Sequence, residues 1–115
     1  MRQEKLGERI RRVRGERGLK LRETAGKVGI SATYLSRIET NEEKSPPAEE
    51  VLRKLADLLE DDLDVLMQLA GRVAADVEKV ITEDVKMPEF LRMARERNFS
   101  GEELLKMLEK QKGKR

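Results

Sequence analysis

Arg37 stands in a stretch, SATYLSRIET, whose polar side chains could read the edge of a base pair. A guanidinium is a planar fork of donors that can bond both O6 and N7 of guanine. Thr33, one turn earlier, brings a hydroxyl and a methyl, Ala32 offers a methyl to thymine, and Ser36 is short and adaptable. At helical spacing Leu35 and Ile38 fall on one face, and Ala32, Thr33, Ser36, Arg37 and Thr40 on another. A helix enters the major groove of B-form DNA only if its outer face is free of core duties and its first residues let the backbone approach. The solvent face of an ordinary helical bundle would show the same pattern.

Affinity without sequence preference would come from the flanks. Lys20, Arg22 and Lys27 precede this stretch, and Thr40, Asn41 and Lys44 follow it. Ser31 and the first amides of a helix beginning there could also hold a phosphate. Tyr34 could bond a phosphate, pack on a thymine or cover the edge of the core. Charge is distributed to match: residues 1–40 hold 11 Lys/Arg against 5 Asp/Glu, a net +6, while residues 41–115 hold 14 against 18, a net −4. Each basic residue alone reads more readily as an ordinary solvated surface charge. As a set they make the footprint of a phosphate-binding surface.

Most catalytic schemes lack their groups here. The chain has no Cys and no His, which removes thiol nucleophiles, disulfides, thiolate metal sites and imidazole acid-base chemistry. The remaining carboxylates and lysines form no constellation distinct from charged helix faces, so neither an enzyme nor a metal or other cofactor is expected. No apolar run approaches the ~20 residues of a membrane span. The start MRQEKLGERI lacks the apolar stretch of a signal peptide, so a cytoplasmic, nucleoid-associated protein without a membrane partner is expected.

The elements that must position these residues are helical throughout. Charged residues at 42% and hydrophobic residues at 37% suit amphipathic helices around a modest core. Leu6, Ile10 and Val13 mark a first helix over about Arg2 to Glu16, stopped by Gly18. A short second helix runs from Leu21 to Val28, with Glu23 in its first turn. Gly29 permits the left-handed turn between helices, and Ser31 can cap a third helix that continues to about Glu39. SPPAEE resets the chain before a fourth helix of about Ala48 to Leu59. Asp61, Asp62 and Asp64 open a fifth, carrying Leu63, Leu66 and Leu69, and Gly71 is the expected boundary.

Three further helices are expected over about Ala75 to Glu83, Pro88 to Arg97 and Gly101 to Lys112. Ser100 with Glu103 forms a capping-box pattern, and KQKGKR reads as a frayed basic tail. The expected fold is all-α: a five-helix domain over 1–70 and a C-terminal extension of about three helices over 71–115.

RxxxGL from Arg14, the short helix containing Ala25, VGIS, YLSRIE, the Pro-containing loop and LRKLADLL occur in this order. In that combination the chain resembles the Cro/repressor-like helix-turn-helix family of transcription regulators, often called Xre-type, from about Gly7 to Leu69. The resemblance implies that Ala32, Thr33, Ser36 and Arg37 occupy base-contacting positions. It also implies that Arg14 and Glu39 pair, holding the recognition helix at its angle. The sequence departs from the family pattern at Leu21, where many relatives carry Gln, at Lys20 in the usual Ser cap, at Thr24 in place of a larger apolar residue, and at Gly26. These changes suggest a weaker second helix and put its phosphate contact in doubt.

The resemblance implies a double-stranded DNA partner and a homodimer on a palindrome; a repressor is expected rather than an activator because nothing in the chain resembles an activation surface. Val77, Val80, Ile81, Phe90, Leu91, Met93, Phe99, Leu104, Leu105, Met107 and Leu108 give the second half more apolar surface than a free tail should expose. The fourth and fifth helices, a second copy, or a ligand pocket lined by Met87, Met93 and Met107 could account for it. Two other functions fit the same sequence. One is an antitoxin that blocks a protein partner through residues 72–112 while regulating its own operon; the other is an architectural protein with little sequence preference.

Overall fold

The computed structural model describes residues 3–112, and every regular element in that range is α-helical. The helices are α1 (Leu6–Glu16), α2 (Leu21–Val28), α3 (Ala32–Glu39), α4 (Glu49–Leu59), α5 (Leu63–Leu69), α6 (Ala75–Glu83), α7 (Met87–Glu96) and α8 (Gly101–Lys112). Contacts divide the chain into two compact units, Met1–Ala74 and Ala75–Arg115.

α1 starts at Leu6 rather than near Arg2, which lies outside the described residues. Lys5 is extended, and the Glu8 carboxylate accepts its amide at 2.8 Å, closing the helix start at that point. α2 forms over its full length despite Gly26. The Thr24 side chain is buried, with its hydroxyl donating to the Lys20 carbonyl at 2.9 Å, so a polar atom is placed inside at little cost. Gly29 then takes φ +83°, and the Ile30 amide reaches back to the Ala25 carbonyl at 3.0 Å. This left-handed closure turns the chain tightly enough for the Ser31 hydroxyl to accept the Tyr34 amide at 3.0 Å and begin α3.

The same closure ends α3 without a glycine. Asn41 adopts φ +61°, its amide bonds the Ile38 carbonyl at 3.1 Å, and the Glu42 amide bonds that of Arg37 at 2.9 Å. Glu60 and Asn98 serve in the same way after α4 and α7, with φ +54° and +59°.

One core unites α1 to α5. Ile10, Val13, Ala25, Val28, Leu35, Ile38, Leu52, Leu55, Leu59, Leu66 and Met67 are buried, and Ala74 joins them at the end of the unit. Each fully buried Leu or Ile contributes roughly 1.5–3 kcal/mol over an exposed one. Arg72 lies beyond α5, yet its guanidinium bonds the carbonyls of Pro47 at 2.6 Å and Pro46 at 2.8 Å, tying the end of the unit to the α3–α4 loop.

The second unit is built differently. Ser100 and Glu103 form both bonds of a capping box at the start of α8, at 3.0 and 3.1 Å. α8 runs through Lys110 and Gln111 to Lys112, so the first half of the basic tail is helical, while 113–115 lie outside the described residues. α7 starts at Met87, with Pro88 in its first turn. Phe90, Met93, Ala94, Arg97, Phe99, Leu104 and Met107 line a crevice of about 130 Å³ between α7 and α8. Met87 is not among those residues, and the volume is below the ~300 Å³ at which ligand pockets begin. No helix among the described residues is long and apolar enough to cross a membrane.

Candidate nucleic-acid interface

α3 is held from beneath and open above. Leu35 is fully buried, and Ile38 and Glu39 nearly so, while Thr33 and Arg37 are exposed and Ser36 is half-buried. Ala32 is also half-buried and packs partly against the core, so its methyl lies at the margin of the open face. Tyr34 likewise packs against the core edge.

Three groups fix the angle of α3. Arg14 Nε and Nη2 donate to the two Glu39 oxygens at 2.7 and 2.9 Å, and Nη1 donates to the Leu19 carbonyl at 2.9 Å. The guanidinium therefore joins the end of α1, the α1–α2 turn and the end of α3. The Glu39 side chain is 4% exposed and finds its partner in the same interior, where the hydrogen bond raises Arg14 above the usual arginine value. At the other end of α1, Gly7 lies so close beneath α3 that a Cβ would run into the Ile38 and Glu39 carbonyls. The Gly7 amide donates to Asn41 Oδ1 at 3.2 Å, which joins the start of α1 to the end of α3.

That bond gives Asn41 an internal duty, and its side-chain oxygen is occupied away from the open face. Thr40 is also engaged, with its hydroxyl against the Ser36 carbonyl at 3.1 Å and Glu42 Oε1 at 2.7 Å. Lys20, Arg22, Lys27 and Lys44 are exposed. Ser31 is exposed too, its oxygen already accepting the Tyr34 amide. Leu21, where a Gln would offer a donor, packs against the core.

The positive charge of the first 40 residues is partly spent inside the unit. Arg9 grips Asp61 with two bonds of 2.9 and 2.7 Å and holds that carboxyl below its ordinary value. Arg12 bonds Glu4 and Glu16, and Arg17 donates to the Leu59 carbonyl at 2.9 Å. Counting charges along the chain missed these commitments because their partners lie up to 52 residues away. Arg37 has a partner as well: its Nη1 is 3.7 Å from Glu43 Oε1. Among the described residues there is no group of His, Cys, Asp or Glu arranged to hold a metal ion.

An open helix face preceded by a short helix and a left-handed glycine turn, all on a five-helix core, defines a helix-turn-helix domain. Residues 7–72 match the sequence model of the family described as a helix-turn-helix domain, and the chain belongs to that family, with the Xre-type pattern. It is 30% identical over 82 residues to the HTH-type transcriptional regulator SinR of Bacillus subtilis (strain 168), covering 66% of this chain and 73% of SinR. It is 46% identical over 52 residues to the HTH-type transcriptional regulator DdrOP3 of Deinococcus deserti, covering 45% of this chain and only 39% of that protein. A crystal structure of SinR, a master regulator for biofilm formation, in complex with DNA shares 35% identity at a TM-score of 0.50, over 54% of this chain and 97% of that one. SinR in a complex with SinI protein aligns over 95% of this chain and 96% of its own, at 29% identity and a TM-score of 0.52.

Proposed function

We propose that this chain is a sequence-specific regulator of transcription, a repressor, that sets α3 in the major groove of double-stranded DNA. The carrying observation is the contrast within α3: Leu35, Ile38 and Glu39 anchor it, while Thr33 and Arg37 are exposed and Ser36 is half-buried. In this reading Ala32, Thr33, Ser36 and Arg37 meet base edges. Lys20, Arg22, Lys27 and Lys44, with the Ser31 hydroxyl and the α3 amides, meet phosphates; Tyr34 and Thr40 flank them, and Asn41 contributes mainly by holding α1 to α3. The similarity to DNA-bound SinR supports the choice of nucleic acid over another anion. The reading is of a binding protein, not an enzyme, acting on the nucleoid in the cytoplasm.

One such helix reads only about four or five base pairs, so we assign residues 75–112 the task of pairing two copies on a palindrome with half-sites ~34 Å apart. Phe90, Leu105 and Leu108, at 50%, 62% and 68% exposure, supply apolar surface for that purpose. The alignment with SinR in its complex with SinI over nearly the whole chain favours a second use of α6 to α8, the acceptance of a different protein.

Selection of bound duplexes from a random pool tests the reading, the expected result being a palindrome. On the selected duplex Arg37→Ala should cost about 1–3 kcal/mol and relax preference at one position, whereas Lys27→Ala should weaken all duplexes alike and lower the salt slope by about one. Equal losses for Arg37→Ala on selected and random DNA would remove its base-reading role.

A further inference from the structure

Glu43 lies four residues past the end of α3, yet the loop returns it to the side of Arg37. The left-handed Asn41 and the bond from the Glu42 amide to the Arg37 carbonyl fold the loop back on the last turn of the helix. Its Oε1 is then 3.7 Å from Nη1 of Arg37, with the Glu43 side chain 27% exposed and that of Arg37 60% exposed. The carboxylate addresses one nitrogen of a guanidinium that has five N–H donors, leaving the Nε and Nη2 edge available.

We propose that Glu43 is a positioning and specificity-determining residue, a carboxylate that neutralises Arg37 toward phosphate while presenting its free edge to guanine. The inference rests on the DNA-binding reading above. The physical basis is the difference between the two targets. Attraction to a phosphate depends on net charge, and an Arg with a carboxylate beside it has little net charge to offer. A guanine edge is neutral and is recognised by directed hydrogen bonds to O6 and N7, which the remaining donors can still make. Glu43 therefore weakens binding to any duplex more than binding to the right one. It also restrains a long side chain before binding, reducing the ordering that recognition must impose.

The test measures affinity and its salt dependence for Glu43→Gln on a selected duplex and on random duplex, with and without Arg37→Ala. The pair is largely solvated, so the expected gain on random DNA is about threefold. The salt slope on random DNA should steepen by about one as Arg37 takes up a phosphate. The gain on the selected duplex should be smaller, so discrimination falls, and the loss of discrimination should vanish once Arg37 is Ala. Equal gains on both duplexes, or the same loss of discrimination without Arg37, would overturn the proposal. Failure of the unaltered chain to retain any duplex at low salt would instead remove the DNA-binding reading, and this inference with it.

Discussion

The two units use their apolar residues in opposite ways. In the first, the side chains of α1 to α5 converge, and Ile10, Leu35, Leu52, Leu55, Leu59 and Leu66 have no solvent exposure. In the second, Val80, Phe90, Leu91, Met93, Leu105, Met107 and Leu108 are all exposed, and among the described residues Ala94 alone is buried. A helix buries its stripe where other helices present complementary stripes; three short helices have too little surface to do so. The difference teaches that the first unit is stabilised by its own interior, and that the second has surface to spare for a neighbour.

The largest effect that could break this contrast lies within the first unit. Glu39→Ala would leave Arg14 uncompensated in a mostly buried position and should cost about 3–5 kcal/mol in urea unfolding. A loss under 1 kcal/mol would mean the interior tolerates the charge and that packing alone holds α3. Asp61 gives a second handle. Because Arg9 lowers its folded pKa, its contribution is present above the unfolded value near 4 and is lost as pH falls through the folded one. Asp61→Asn should therefore cost about 1.5 kcal/mol at pH 7 and flatten the acid limb of stability, read from denaturation midpoints between about pH 5 and 2.

In the second unit the expected change is in association. Phe90→Glu and Leu105→Glu should each weaken self-association about tenfold in sedimentation equilibrium, with little change in helix content. A protein that is monomeric at micromolar concentration before substitution would sharpen the comparison differently, leaving a distinct protein as the natural cover for that face. The smallest effect concerns a helix end. Glu60 pays the left-handed cost of a non-glycine residue at φ +54°, so Glu60→Gly should raise the melting free energy by about 0.5 kcal/mol.

Much of this architecture was legible because the signals were local. Gly29 and Ser31 fixed the turn between α2 and α3, the spacing of Leu35 and Ile38 fixed which face of α3 was buried, and Ser100 with Glu103 fixed the start of α8. What could not be read was either conformational or distant. Asn41, Glu60 and Asn98 end helices with a backbone geometry their residue types only tolerate. Gly7 reads as an ordinary helical residue until α3 is seen against it. Arg9 and Asp61 are 52 residues apart, and nothing in either neighbourhood announces the other. The pairing of Arg14 with Glu39 came from family resemblance, since two charges 25 residues apart have no periodicity to betray them. Glu43 carries no local signal of its approach to Arg37, because the loop that returns it depends on the left-handed Asn41.

The guanidinium of Arg14 bonds both a carboxylate on α3 and a peptide oxygen in the turn after α1. Such a clasp leaves α3 no low-energy way to peel off alone, since swinging it outward would strand a cation in the interior and expose Leu35 at the same moment. If α3 reads DNA as proposed, adjustment to the curvature or groove width of a duplex would have to come from the nucleic acid rather than from a swing of this helix.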